Sequence, residues 1–265
     1  MGEDRKSPFI VMGLCLYFGF LLHKFVMEAF FMNTNFSKRL KRHTTVAVLC
    51  AMAFLCTVII KFPVMFLTMD IKDSIIMLCT LFFGVPSGII AAVIVPLLEY
   101  MTISGTGEYG LIMNVISSVS LCVPVGLIYK YKKTLNGAIL GLCVSVVTMT
   151  AIMMIANLFI TPFYMGVSRS EVVALIPTLL LPFNLVKGTL NAAVVLLLYK
   201  PLSRALKKNR LIEISVSENT EAQTKNRTRS LVVTLVALAV IAISLMVIFV
   251  ILGGNISFLD GILKK

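Results

Sequence analysis

The sequence predicts an all-α membrane protein: a six-helix transmembrane core bundle with an additional C-terminal transmembrane helix and a further candidate helix at the N-terminus. Three observations carry this expectation. Apolar residues make up 58% of the 265-residue chain and charged ones 14%, with no tryptophan, and the mean hydropathy is +0.98. The apolar stretches are too long and too many for a soluble core of this size, and short basic or Gly/Pro-containing breaks separate them. The basic residues cluster at the ends of those stretches. The net charge of +12 therefore reads as topology signal and contact with anionic lipid, and nucleic acid is not an expected partner.

Residues 1–31 open with charges and run apolar from Pro8 to Phe31, interrupted by His23, Lys24 and Glu28. They read as a transmembrane or signal-anchor helix, or as an upstream extension of a reading frame that starts at Met32. No small-residue cleavage site argues for a removed signal peptide. The core domain spans 32–208. Its first helix, Thr44 to about Phe62, follows Lys38, Arg39, Lys41 and Arg42, which place that end in the cytoplasm. Ala47 and Ala51 form a small-xxx-small pair that admits a close neighbouring backbone. Leu67 to Asp73 reads as a polar outer loop, with Asp73 capping the next helix.

Ser74 to Met101 is too long for one ordinary span. Gly84-Val85-Pro86-Ser87-Gly88 in its middle reads as a tight reversal between helices of about 74–83 and 86–101. The reversal is preferred over a single kinked helix because it leaves every later basic cluster on the cytoplasmic side. Ser104 to Gly110 reads as a flexible outer connector; with no GxxxxGK[ST] or GxGxxG it is not a phosphate cradle. Leu111 to Tyr129 then returns inward to Lys130, Lys132 and Lys133. Gly137 to about Ile160 runs outward, with Gly137 and Gly141 as another close-packing pair, and Val172 to Tyr199 returns to Lys200, Arg204, Lys207, Lys208 and Arg210. Residues 209–230 form a mixed-charge polar linker. Residues 231–254 hold an aliphatic span, Leu231 to Leu252, without Asn, Lys, Asp or Glu, which reads as an anchor or packing helix with no share of a site; 255–265 is a short tail.

The chemistry concentrates in two polar loci. At ~100° per residue, Asn184, Lys187 and Asn191 fall on one face of the last core helix, and a lysine at membrane depth costs roughly 3 kcal/mol or more unless it meets a cavity or a partner. Snorkelling of Lys187, with the asparagines gluing helices together, is the plainer reading. The position of Lys187 well inside the run favours a ligand. The second locus is Asn157 with Thr161 and Tyr164, and Met69 and Asp70 lie in the loop above. Asparagine amides suit a neutral heterocycle with imide edges, and Phe66, Phe163, Tyr164 and Phe183 are aromatic rings that can stack on it. An enzyme finds little here: no Ser/His/Asp set, no HExxH and no paired carboxylates facing a cavity. A proton or cation pathway through Glu99 and Asp70 ranks lower still. Cys15, Cys50, Cys56, Cys79, Cys122 and Cys143 lie in apolar runs without a CxxC, and His23 and His43 are isolated, so neither a metal nor another cofactor is expected.

Several segments, in order, carry a resemblance: the basic start with Ala47-xxx-Ala51, the Leu67-Thr-Met-Asp-Ile-Lys-Asp73 loop, Gly84-Val-Pro-Ser-Gly88, Asn157 before Pro162-Phe163-Tyr164, and Pro182-Phe-Asn-Leu-Val-Lys-Gly188. Over about residues 38–208 the chain resembles the substrate-binding subunits of energy-coupling factor (ECF) vitamin transporters, and among them the riboflavin-specific type. The resemblance implies six core helices in the bacterial cell membrane, with riboflavin held near the outer face and Asn157, Asn184 and Lys187 on its polar groups. It further implies that Ala47 and Ala51 dock on a transmembrane coupling subunit, which couples two ATPase subunits. The absence of a nucleotide-binding motif is consistent with energy coming from partners. Two features depart from the family: Gly84-Val85-Pro86 stands where it usually has Gly-Pro, and the C-terminal span lies outside the usual core. The alternatives are a subunit or small transporter for another vitamin or heterocycle, and a structural or enzymatic membrane protein.

Overall fold

A computed structural model of the protein describes residues 38–64, 67–103, 105, 107–208, 233, 235–244 and 246–247. The expected helix over 1–31, the linker over 209–230 and the tail over 255–265 lie outside them. Internal contacts divide the chain into two units, Met1–Val48 and Leu49–Lys265. The described part of the first is the start of helix α1, Lys38–Ile59, which is free of Gly and Pro. In the second unit the remaining residues of α1 lead to an antiparallel hairpin of β1, Lys61–Val64, and β2, Leu67–Asp70, in which Lys61 stands opposite Asp70 and Val64 opposite Leu67. Then come α2 (Lys72–Phe83), α3 (Val85–Thr102), α4 (Gly107–Tyr131) and α5 (Leu135–Met165). A short α6 (Arg169–Leu175) passes through a π-helical turn, Ile176–Leu180, into α7, Leu181–Lys208. Within the expected C-terminal span the described residues form a short apolar helix, α8, Leu235–Ser244.

Two expectations for the first outer segment are corrected. Leu67 to Asp73 is a buried strand running into a helix, not a loop. Asp73 does not cap that helix either: Ile71 holds the N-cap position without a side-chain bond, and the Asp73 carboxylate instead accepts a hydrogen bond from Ser118 on α4. A buried carboxylate must find its donors inside the protein, and a hydroxyl across the bundle supplies one.

Helix α2 is the hub. All its residues, Lys72 to Phe83, are buried, as expected of a helix apolar nearly all round, and α3, α4 and α7 pack on it. At 12 residues it is about 18 Å long, short of the ~30 Å hydrocarbon core. Among the described residues five longer helical runs are apolar enough to cross a membrane, the last being the continuous Arg169–Leu206. The expected reversal between α2 and α3 is present. Gly84 takes φ 85°, a backbone region that favours glycine, and the two helices return side by side, so closely that a Cβ on Gly88 would stand 1.9 Å from the Thr80 hydroxyl. Of the glycine pair at 137 and 141, only Gly141 faces another helix, against Val125; Gly137 abuts Lys132 in its own approach turn.

The run expected as one helix from Val172 starts earlier, at Arg169, with Ser168 accepting the first-turn amide of Glu171. Its irregularity is the π-helical turn with Pro177 near its start, one turn ahead of Pro182. At the far end of the bundle Tyr129 and Tyr199 share a hydrogen bond of 2.7 Å, and Phe82 stacks on Tyr199 with ring centroids 5.6 Å apart. The C-terminal ends of α2, α4 and α7 therefore meet. Lys130, Lys132, Lys133, Lys200 and Arg204 gather at that end, which the positive-inside rule assigns to the cytoplasm.

Candidate functional site

At the opposite, outer end, β2, α4, α5 and α7 enclose a cavity whose empty space, its open mouth included, is about 650 Å³. Leu67 and Thr68 contribute from β2; Tyr109, Gly110, Met113, Asn114 and Ser117 from α4; Met153, Asn157, Ile160, Thr161 and Tyr164 from α5; Phe183, Asn184 and Lys187 from α7. The two predicted polar loci face each other across it. Their helices run antiparallel with their outer ends side by side, which brings together residues near the end of one helix and the start of the other.

The amides are held by their own helices. Asn157 Nδ2 donates to the Met153 carbonyl at 2.7 Å, and its Oδ1 accepts from Thr161 Oγ1 at 2.8 Å. Asn184 Nδ2 donates to the Leu180 carbonyl at 2.7 Å, the last residue of the π-helical turn. Each amide has a second N–H beyond these bonds, and the Asn184 Oδ1 adds an acceptor. Tyr164 meets Tyr109 edge to face at 6.3 Å.

Other predicted residues sit elsewhere. Met69 is 0% exposed and belongs to an apolar cluster with Val64, Phe183 and Leu190, behind the cavity wall. Asp70 does not line the cavity. Phe163 is 69% exposed and outside it, while Phe66 falls outside the described residues. Ala47 is exposed on α1, whereas Ala51 is 8% exposed. Asn191, third on the polar face of α7, glues elements together as the plainer reading expected. Its Nδ2 donates to the backbone carbonyls of Asp70 and Lys187, both at 3.0 Å, and its Oδ1 accepts from the Ser74 amide at 2.9 Å.

Beneath the cavity lies a charge network. Lys187 Nζ reaches Asp70 Oδ2 at 3.1 Å and the Thr68 carbonyl at 3.4 Å. Lys72 Nζ bonds the same Asp70 oxygen at 2.9 Å and Glu99 Oε2 at 2.9 Å, and Lys61 closes on Glu99 Oε1 at 2.7 Å. With Asp73, 4.0 Å from Lys187, the cations Lys61, Lys72 and Lys187 balance the anions Asp70, Asp73 and Glu99. Burial by itself raises the Asp70 pKa, but the Lys187 and Lys72 ammonium groups outweigh it and hold the carboxyl well below the usual range. The carboxylates expected at an exposed loop are thus buried, and Glu99, at 1% exposure, is among the best covered side chains. Paired in this way they hold elements together; among the described residues no group of His, Cys, Asp and Glu is arranged to bind a metal.

Sequence reasoning missed the α4 wall. Gly107 to Gly110 is the first turn of that helix rather than a connector, so Tyr109 and Gly110 reach the cavity. Asn114 was legible by the signal that marked Asn184, a lone amide in an apolar span. It accepts from Lys72 at 3.3 Å, which joins the cavity wall to the network below. Ile241 on α8 packs against the cluster of Val64, Met69, Phe183 and Leu190, which accords with a packing helix in the C-terminal span.

Three comparisons agree with this architecture. The family model of the ECF transporter substrate-specific component matches residues 41–199. A protein described as riboflavin transporter RibU, from Staphylococcus aureus (strain TCH60), is 34% identical over 178 residues, 63% of this chain and 93% of that protein. A solved S component of a bacterial ECF transporter, 34% identical, superposes with a TM-score of 0.56 over 64% of this chain and 99% of the other. With a helical bundle, apolar spans and an outer cavity in agreement, the chain belongs to the substrate-specific components of ECF transporters, and is a multi-pass cell-membrane transport subunit rather than an enzyme.

Proposed function

We propose that this chain captures riboflavin at the outer face of the membrane and passes it inward in company with an ECF transmembrane coupling subunit and two ATPase subunits. The observation that carries the reading is the mixed lining of the outer cavity, apolar and polar side chains together. Met113, Met153, Ile160 and Phe183 offer apolar and aromatic surface to a flat ring system. Asn157 on α5 and Asn184 and Lys187 on α7 add spare N–H donors and the Asn184 acceptor. A flavin asks for both: it has an apolar dimethylbenzene edge, and an imide edge that alternates carbonyl acceptors with one N–H donor. The similarity to a riboflavin transporter supports the same ligand. Thr161 acts by holding the Asn157 amide, Tyr164 by bordering the ring plane, and Met69 and Asp70 from behind the wall. Counting α2, six core helices carry the site, with α8 added outside them.

Ala47 and Ala51, one turn apart on α1, are the proposed contact for the coupling subunit, because small side chains let helices approach closely in lipid. Replacing both with leucine is expected to abolish uptake and leave ligand affinity unchanged. For the ligand itself, protein purified from a flavin-containing host is expected to be yellow and to release a compound with the riboflavin absorbance spectrum. Colourless protein that binds no riboflavin at micromolar concentration would overturn the assignment, and capture of a different heterocycle would reassign the substrate.

A further inference from the structure

We propose that Asp70 is the positioning residue of the ligand site: it aims the Lys187 ammonium at the cavity and ties the β1–β2 hairpin to the ligand's polar edge. The proposal rests on the ligand reading above. Asp70 and Lys187 are joined twice. Their side chains meet at 3.1 Å, and Asn191 bonds both backbone carbonyls at 3.0 Å each, fixing the end of β2 against the second turn of α7. Lys187 has three N–H donors. One serves Asp70 and one the Thr68 carbonyl. Asp73 Oδ2, at 4.0 Å, is too far for a hydrogen bond and has no other partner. The third donor is left for an acceptor in the cavity that Lys187 lines. Lys72, fixed in turn by Glu99, holds the other side of the shared Asp70 oxygen, so Asp70 cannot follow a shift of Lys187 without breaking a second buried bond.

A double-mutant cycle on the full chain tests this, with equilibrium riboflavin binding and thermal stability measured for wild type, Asp70→Asn, Lys187→Met and the double variant. Asp70→Asn is expected to weaken binding about tenfold or more, yet to cost no further affinity in the Lys187→Met background, because its effect passes through Lys187. A merely structural Asp70 lowers affinity equally in both backgrounds; that result, or unchanged affinity in Asp70→Asn, overturns the proposal. If Asp70→Asn does not fold, Asp70→Glu, which keeps the charge and moves it by a methylene, takes its place in the cycle. A wild-type chain that binds no riboflavin removes the ligand reading first, and this proposal with it.

A different observation carries a second inference. We infer that α8 braces the hairpin from outside the cavity. The matched family region ends at residue 199, so this helix is additional to it. Ala237, Ile241 and Ser244 lie on one helical face; Ala237 and Ser244 are buried and Ile241 packs on the cluster of Val64 and Met69 from the hairpin with Phe183 and Leu190 from α7, while Leu235, Val236, Leu238, Ile243 and Met246 are exposed. Small residues flanking one larger side chain are how a helix seats closely against protein in lipid. Hydrogen exchange at the backbone amides of β1 and β2 reads the brace without any ligand. Ile241→Ala is expected to speed it by about threefold or more, and Ile243→Ala, on the exposed face, to leave it unchanged. Equal exchange in the two variants, with the protein folded, would overturn the brace.

Discussion

The two ends of the bundle solve the same packing problem with different chemistry. At the cytoplasmic end the helices close on one another through aromatic stacking, a tyrosine pair and near-contact at small residues, and the charged side chains stay outside. At the outer end the helices are held apart, and lysines and carboxylates sit inside, bonded to each other below a cavity. The inner closure is made of packing contacts and a neutral hydrogen bond, whose loss leaves no buried charge behind. The outer network is made of charges that are tolerable only in company, so removing one exposes the others to an apolar surrounding. The bundle therefore has one end that sets stability and one that combines stability with a ligand site.

The largest effect is expected from breaking the outer network at a residue that does not itself line the cavity. Glu99→Gln leaves Lys61 and Lys72 short of a counter-charge and should cost about 3–5 kcal/mol of stability, read as a fall in the thermal midpoint in detergent. A midpoint unchanged by Glu99→Gln would mean that the two ends do not differ in this way. Next comes the cavity wall: Lys187→Met is expected to weaken riboflavin binding about 100-fold, as loss of a charged hydrogen-bond donor does, in a calorimetric titration. At the inner end, Gly126→Leu would place a Cβ 2.5 Å from Thr80 Cγ2 and 2.6 Å from Val85 Cγ2. That overpacking should cost about 1–3 kcal/mol and leave riboflavin affinity within twofold of wild type, which sharpens the contrast between ends. The smallest effect is expected from Tyr129→Phe, which removes the 2.7 Å bond to Tyr199. A loss of about 1 kcal/mol is expected, again with binding unchanged.

Much of the outer end was legible in advance. Asn157, Thr161, Tyr164, Phe183, Asn184 and Lys187 all line the cavity, because an amide or ammonium in an apolar helix demands an explanation wherever it stands. Residues without that mark were not legible. Tyr109 and Gly110 looked like connector because glycines flank them, and Met153 and Ile160 are indistinguishable from lipid-facing neighbours by composition. Asp70 and Asp73 misled in the other direction. A polar cluster between two apolar runs resembles a solvated loop, and nothing local reveals that Lys187, from a distant helix, joins Lys72 in neutralising it.

Composition and the spacing of apolar runs determined on their own that this is a membrane bundle, roughly where most of its helices run, which end the positive-inside rule assigns to the cytoplasm, and that α7 carries a polar face in need of a partner. These are one-dimensional properties: each follows from a segment's own residues and the thickness of a bilayer. Which partner each buried group takes is a property of pairs. Lys187 meets Asp70 across 117 positions of sequence, and Ile241 seats against a cluster that includes Val64. Helical periodicity says which residues share a face, but not which faces meet. That choice belongs to tertiary packing, and it turned a lysine in need of a partner into one arm of a buried charge network with a single donor left for a ligand.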